Sequence, residues 1–88
     1  MRDANLTIAN CTEANLSGAN LTGAKLCGTN LQGTKLNRAN LTLADLREAN
    51  LSGANLEKAN LKDANLSGAN LGNVKLTGAI MPDGTTHE

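Results

Sequence analysis

The chain has no phenylalanine, tyrosine or tryptophan among its 88 residues. That removes the stacking platforms that hold single-stranded nucleic acid and the aromatic anchors that dominate many protein interfaces. Histidine occurs once, at His87, and no spacing of Cys, His or Asp matches a metal site or an activated nucleophile. Two cysteines do not make a disulfide framework. Net charge is absent too: eight basic residues cancel eight acidic ones, so no strong field draws the chain to nucleic acid. No apolar run approaches the length of a membrane span. Met1-Arg2-Asp3 leads straight into the pattern described next, without the apolar segment of a secretion signal. The resulting expectation is a cytoplasmic protein without a catalytic residue, cofactor or metal.

What is present is one five-residue word, close to Ala-Asn-Leu-Ser-Gly. Of the sixteen positions at every fifth residue from Leu6 to Met81, fourteen are leucine and the others are Cys11 and Met81. Two residues before each stands alanine, except at Thr29, Thr34 and Val74. A period this strict sets the architecture ahead of any other signal.

A helix cannot use the pattern. At about 100° per residue, five steps move each leucine about 140° around the axis, so no single face collects them. A flat strand fails on parity. Alanine and leucine two apart share a face, but the next leucine is an odd step away and points to the other side. Only a bend in every word keeps all the leucines inward. Glycines at 18, 23, 28, 33, 53, 68 and 78 follow each leucine by two, where a tight bend belongs. The chain is therefore a parallel solenoid, with either four sides and twenty residues per turn or three sides and fifteen.

The segments Ala-Asn-Leu-Ser-Gly-Ala-Asn-Leu at residues 14–21, 49–56 and 64–71 resemble the pentapeptide-repeat family. The resemblance covers residues 4–83 and implies an all-β fold, a right-handed quadrilateral parallel β-helix of about four coils. The right hand also agrees with the general preference of parallel crossovers. Residues 1–3 form a lead-in and residues 84–88 a polar tail. Met-Pro-Asp-Gly-Thr from Met81 resembles the endings of cyanobacterial members, and Pro82-Asp83-Gly84 is a turn signal that folds the tail over the last coil.

In the square register each outward residue falls on one of four walls. The first carries Lys25 beneath Asp45, with Arg47 and Glu48; an exposed Lys25–Asp45 pair is the expectation, worth about 0–1 kcal/mol. The second carries the column Asn10, Asn30, Asn50 and Asn70, whose amides are expected to bond from turn to turn. The third carries Lys35, Arg38, Lys58 and Lys75 against one acid, Glu57, a balance of +3. This wall is the candidate contact for an acidic protein, although sixteen charges scattered over four walls also produce such an imbalance. The fourth carries Lys62, Asp63, Asp83 and an outward Leu43. Cys11 is expected inside and Cys27 outside, which separates the two thiols. Thr29 and Thr34, in alanine slots, need acceptors for their hydroxyls, and Val74 overfills its slot.

With three residues ahead of the first word, the layer Leu6, Cys11, Leu16 and Leu21 is expected to be open. End-to-end homodimerisation through it, or cover from an upstream segment, is the corresponding expectation. The family resemblance implies a non-enzymatic structural or interaction module with flat walls for an unidentified protein partner. Some members mimic DNA and modulate gyrase or topoisomerase. That alternative is disfavoured here by short length and zero net charge.

Overall fold

The computed structural model describes residue 5 and residues 10–87. Parallel bridges join residues twenty apart throughout, from Asn5 with Lys25 to Asn60 with Ile80. This register selects four sides over three. The fold is a right-handed quadrilateral β-helix, with principal extents of 29 × 23 × 23 Å.

Each word makes one corner. The alanine N–H donates back to the leucine carbonyl three residues earlier, as in Ala24 to Leu21 and Ala59 to Leu56, both at 3.0 Å. In every word from Glu13 to Gly78 the residue before that donor has φ between 57° and 75°. A turn with positive φ at its third residue has type II geometry, which favours glycine. Seven words nevertheless place another residue there: Glu13, Arg38, Leu43, Glu48, Lys58, Asp63 and Asn73. The corner is imposed by stacking on the neighbouring turns, and the local residue yields.

Asparagine completes the hydrogen bonding. In the word containing Leu51, the Asn50 N–H donates to Thr29 O in the turn below, and the Leu51 and Gly53 N–H groups donate to Asn70 O and Gly72 O above. The Ala54 N–H closes the corner on Leu51 O. One donor remains, the N–H of Ser52, and Asn50 Oδ1 accepts it at 3.0 Å. The same bond recurs from Thr12 to Asn10, Gln32 to Asn30, Lys62 to Asn60 and Gly72 to Asn70. The asparagine oxygens therefore bond within their own word, which corrects the expected ladder between turns. The backbone demands it: in these words this N–H has no backbone carbonyl as acceptor. Where the asparagine slot holds Ile80, the residue two further on is Pro82, which has no N–H to satisfy.

The leucines from Leu21 to Leu61 are fully buried, and the alanines from Ala24 to Ala64 pack against them, with Thr29 and Thr34 in two of the alanine slots. Burying each leucine contributes roughly 1.5–3 kcal/mol. Thr34 Oγ1 donates to Cys11 O at 2.7 Å, and no buried side-chain N or O among the described residues lacks a partner. Val74 strains its corner: the Val74-to-Leu71 bond is 3.3 Å, against 2.9–3.1 Å in the words around it.

Both ends are thinner. Cys11 and Leu16 are half-buried, whereas Leu21 is completely enclosed. Leu21 therefore does not belong to an open end layer. A coil climbs as it turns, and by its fourth side the chain has risen most of the way to the next level. Leu6 lies outside the described residues. Beyond Met81 the tail doubles back through Gly84, and Thr86 pairs antiparallel with Ile80. The Gly78 N–H donates to His87 O, and the His87 N–H donates to Ala79 O. The tail thus covers the fourth wall and the corner at Gly78 that leads into it; Leu66, Leu71 and Leu76 on the other three walls remain half-exposed.

Replacing Leu43, which is 60% exposed at φ 64°, with asparagine relieves a left-handed leucine without losing core contact. Leu43→Asn should raise unfolding stability by about 1 kcal/mol, and Gly53→Ala, at φ 70° with open space around the site, should lower it by about the same amount. Urea denaturation of both variants measures this; a neutral result for both would mean the corners carry no strain.

Candidate protein-interaction surface

The square register puts charged side chains in vertical columns, and their partners follow from the corners. On the first wall Lys25 does sit beneath Asp45. Asp45, however, pairs with Arg47 in its own word: Oδ1 accepts from Arg47 Nε at 2.9 Å and Oδ2 from a guanidinium nitrogen at 2.7 Å. Asp45 stands in an asparagine slot, so its Oδ1 also receives the Arg47 N–H. The planar guanidinium reaches both oxygens from two residues away, which leaves Lys25 without the expected ion pair. These bonds hold the Asp45 carboxyl below its ordinary pKa, with the Arg47 side chain the largest cause. Cys27 and Cys11 are both free thiols and both half-buried, so Cys27 is more covered than its outward position suggested. Its neighbour Gly28 is bonded to Arg47 O in the turn above.

The third wall is different. Lys35 and Lys75 flank Asn55 in one column of bridges. Arg38 and Lys58 occupy consecutive corners, joined by the Arg38 N–H to Glu57 O bond at 2.8 Å. All four cations are exposed, and none enters an ion pair among the described residues. Lys58 lies across the next corner, where its Cγ would stand 3.2 Å from a Cβ at position 78. Glycine at that position leaves room for it.

Between these corners the wall dips into an open depression of about 280 Å³, lined by Asn37, Arg38, Asn55, Glu57, Lys58 and Thr77. Lys35 and Lys75 stand outside this lining. The two amides are oriented. Asn37 Oδ1 accepts from Ser17 Oγ at 2.8 Å, and Asn55 Oδ1 accepts from the Glu57 N–H at 2.9 Å. Each therefore keeps its NH₂ as the free polar end. Four of these six residues, Asn37, Asn55, Glu57 and Thr77, were not singled out as contacts in the sequence. Stacking in steps of twenty places all of them beside Arg38 and Lys58, but the depression itself depends on side-chain size and direction.

The second wall, with its amides committed to their own words, presents a plain surface. Among the described residues no three His, Cys, Asp or Glu side chains form a metal-sized group, and no helix is long and apolar enough to cross a membrane.

The family model for pentapeptide repeats, in eight copies, matches residues 4–42 and 44–81. The chain belongs to the pentapeptide-repeat family. Among solved structures it is similar to HetL, a pentapeptide repeat protein involved in heterocyst differentiation regulation from the cyanobacterium Nostoc sp. strain PCC 7120. Identity is 36% over 97% of this chain and 52% of HetL, with a TM-score of 0.56. It is similar to the pentapeptide repeat protein Rfr23 from the cyanobacterium Cyanothece 51142, at 43% identity over 98% of this chain and 62% of Rfr23, TM-score 0.53. A second Nostoc protein, alr5209, is 36% identical over 85% of this chain and 66% of its own, TM-score 0.58. The chain thus spans between about half and two thirds of the length of these relatives. No curated protein sequence matches it.

The Asp45–Arg47 pair has a defined pH signature. Because the folded pKa is depressed, the pair's contribution is complete above the unfolded carboxylate range and is lost as pH falls through the folded value. In a carboxyl-carbon NMR titration, Arg47→Ala should raise the Asp45 midpoint toward the ordinary value. An unmoved midpoint would assign the shift to the backbone bond alone.

Proposed function

We propose that this pentapeptide-repeat chain acts as a non-catalytic interaction module, binding an acidic face of a regulatory protein partner through its third wall. The observation that carries the reading is the set of four exposed cations on one wall, Lys35, Arg38, Lys58 and Lys75, without ion pairs among the described residues, two of them lining a depression. Their wall belongs to a closed coil, so the groups are presented at fixed spacings of about 4.8 Å per turn and need little ordering on binding. On the first wall, by contrast, Arg47 is paired with Asp45. Among the described residues the interior is filled chiefly by leucine and alanine, and family members are generally structural rather than catalytic. HetL is described as involved in a regulatory process, which is consistent with regulation by binding.

Modulation of gyrase or topoisomerase by mimicking DNA is the other reading. Mimicry needs a negative outer surface, and here the wall with a distinct sign is positive while the whole chain is neutral. The end-to-end homodimer is likewise a proposal. It rests on Leu6, which lies outside the described residues, and on the half-buried Cys11 and Leu16, since Leu21 is enclosed.

The test is affinity capture from a cyanobacterial lysate with wild type beside a triple variant, Lys35→Glu, Arg38→Glu and Lys58→Glu. A protein held by wild type and lost by the variant supports the third wall, provided circular dichroism shows both folded. Equal capture moves the contact elsewhere. Inhibition of DNA supercoiling by gyrase in a parallel assay would favour the mimic instead.

A further inference from the structure

The third-wall depression has a chemistry more specific than positive charge. Its lining includes Arg38, Lys58 and Thr77, residues that carry a guanidinium, an ammonium and a hydroxyl. Two amides join them with their oxygens already committed, Asn37 to Ser17 and Asn55 to the Glu57 backbone. Each oxygen thus has one of its two lone pairs taken, while the NH₂ keeps both donors, so each amide meets an incoming group chiefly as a donor. Glu57 is the single acceptor of full charge among them, and its carboxylate has no ion-pair partner among the described residues. The site is thus rich in donors, cationic at its corner, and carries one charged acceptor.

We propose that this depression is a receptor for an acidic peptide segment, with one Asp or Glu carboxylate of the partner seated between Arg38 and Lys58. The rest of the lining matches a peptide main chain. Carbonyl oxygens accept from the amide groups of Asn37 and Asn55, and a peptide N–H donates to Glu57. Arg38 and Lys58 occupy consecutive turns, so their heads close on one carboxylate from two levels, and charge-assisted bonds of this kind are the strong ones. Lys35 and Lys75, outside the lining on the same wall, attract further acidic residues at longer range. Glu57 sets the selectivity. A phosphate dianion would gain the same cations but meet the carboxylate at close quarters, whereas a singly charged carboxylate with a neighbouring N–H satisfies both. This inference rests on the third wall being the contact face.

The experiment is a titration of ¹⁵N-labelled protein with three peptides of one length: acetyl-Gly-Glu-Asp-Glu-Gly-amide, its Gln-Asn-Gln counterpart, and acetyl-Gly-Glu-phosphoserine-Glu-Gly-amide. The acidic peptide should shift the amides of Arg38, Glu57 and Lys58, while those of the second wall, such as Asn30, stay in place. The Gln-Asn-Gln peptide should bind at least about tenfold more weakly, as should the acidic peptide to Arg38→Ala or Lys58→Ala. Lys62→Ala, on the fourth wall, should leave binding unchanged. Glu57→Gln should improve binding of the phosphoserine peptide relative to the acidic one. Equal binding of the charged and neutral peptides, a tighter phosphoserine complex with wild type, or no shift at the highest concentration reached would each overturn the proposal. A lysate partner that is lost on charge reversal while these peptides fail would retain the third wall as a contact and discard the acidic-peptide site.

Discussion

The structure depends on a corner that recurs every five residues, held by a hydrogen bond across the turn and a left-handed third residue. Once that corner is set, each word has five N–H groups to place, or four where Pro82 stands. Three go to neighbouring coils and one closes the turn, as the bonds of the Leu51 word illustrate. The fifth goes to the asparagine side chain. Buried or edge-on backbone donors are costly when unmet. The asparagine run is therefore part of the backbone's own bonding, more than a surface feature. Lysine at positions 25, 35 and 75 gives up that oxygen, so the donors of Cys27, Asn37 and Thr77 receive no cap from their own word. Two of these lysines lie on the third wall, where a structural bond has been exchanged for a projecting charge.

Core and corners divide the energetics. The leucine column supplies burial that grows turn by turn, and it is complete only from Leu21 to Leu61. Outside that interval each layer lacks a neighbour on one side, as expected of a stack in which every repeat is stabilised by those adjacent to it. The C-terminal tail answers this on one wall by supplying the strand that a further coil would have supplied, though running the opposite way. The middle turns, where burial is complete, also carry Arg38 and Lys58. A contact surface built there sits on the most completely packed part of the rod, which lowers the ordering cost when a partner binds.

Most of the architecture was legible because five is odd. Leu26 and Leu31 can both face inward only if the chain bends between them, and the glycines mark the bends. The number of sides was not legible, since bends close three-fold as well as four-fold and the difference lies in angles that no residue type encodes. The Lys25–Asp45 expectation shows a similar gap. The column was right, yet Arg47, two residues along in the same word, takes both oxygens of Asp45. Likewise, sequence position grouped Leu21 with Leu16, but Leu21 stands one side further along the climbing coil and is enclosed where Leu16 is half-buried.

The sequence by itself determined that the chain is a leucine-cored solenoid with a bend in each word, and which residues face outward. Its reason is local: spacing and parity act between near neighbours and require no knowledge of distant contacts. The tertiary structure decided the four-sided closure, the amide bonds within each word and the depression among Asn37, Arg38, Asn55, Glu57, Lys58 and Thr77. Those residues come from three successive turns, up to forty positions apart. Only the closed coil brings them together, because a surface hollow is a property of how side chains from separate turns fill space.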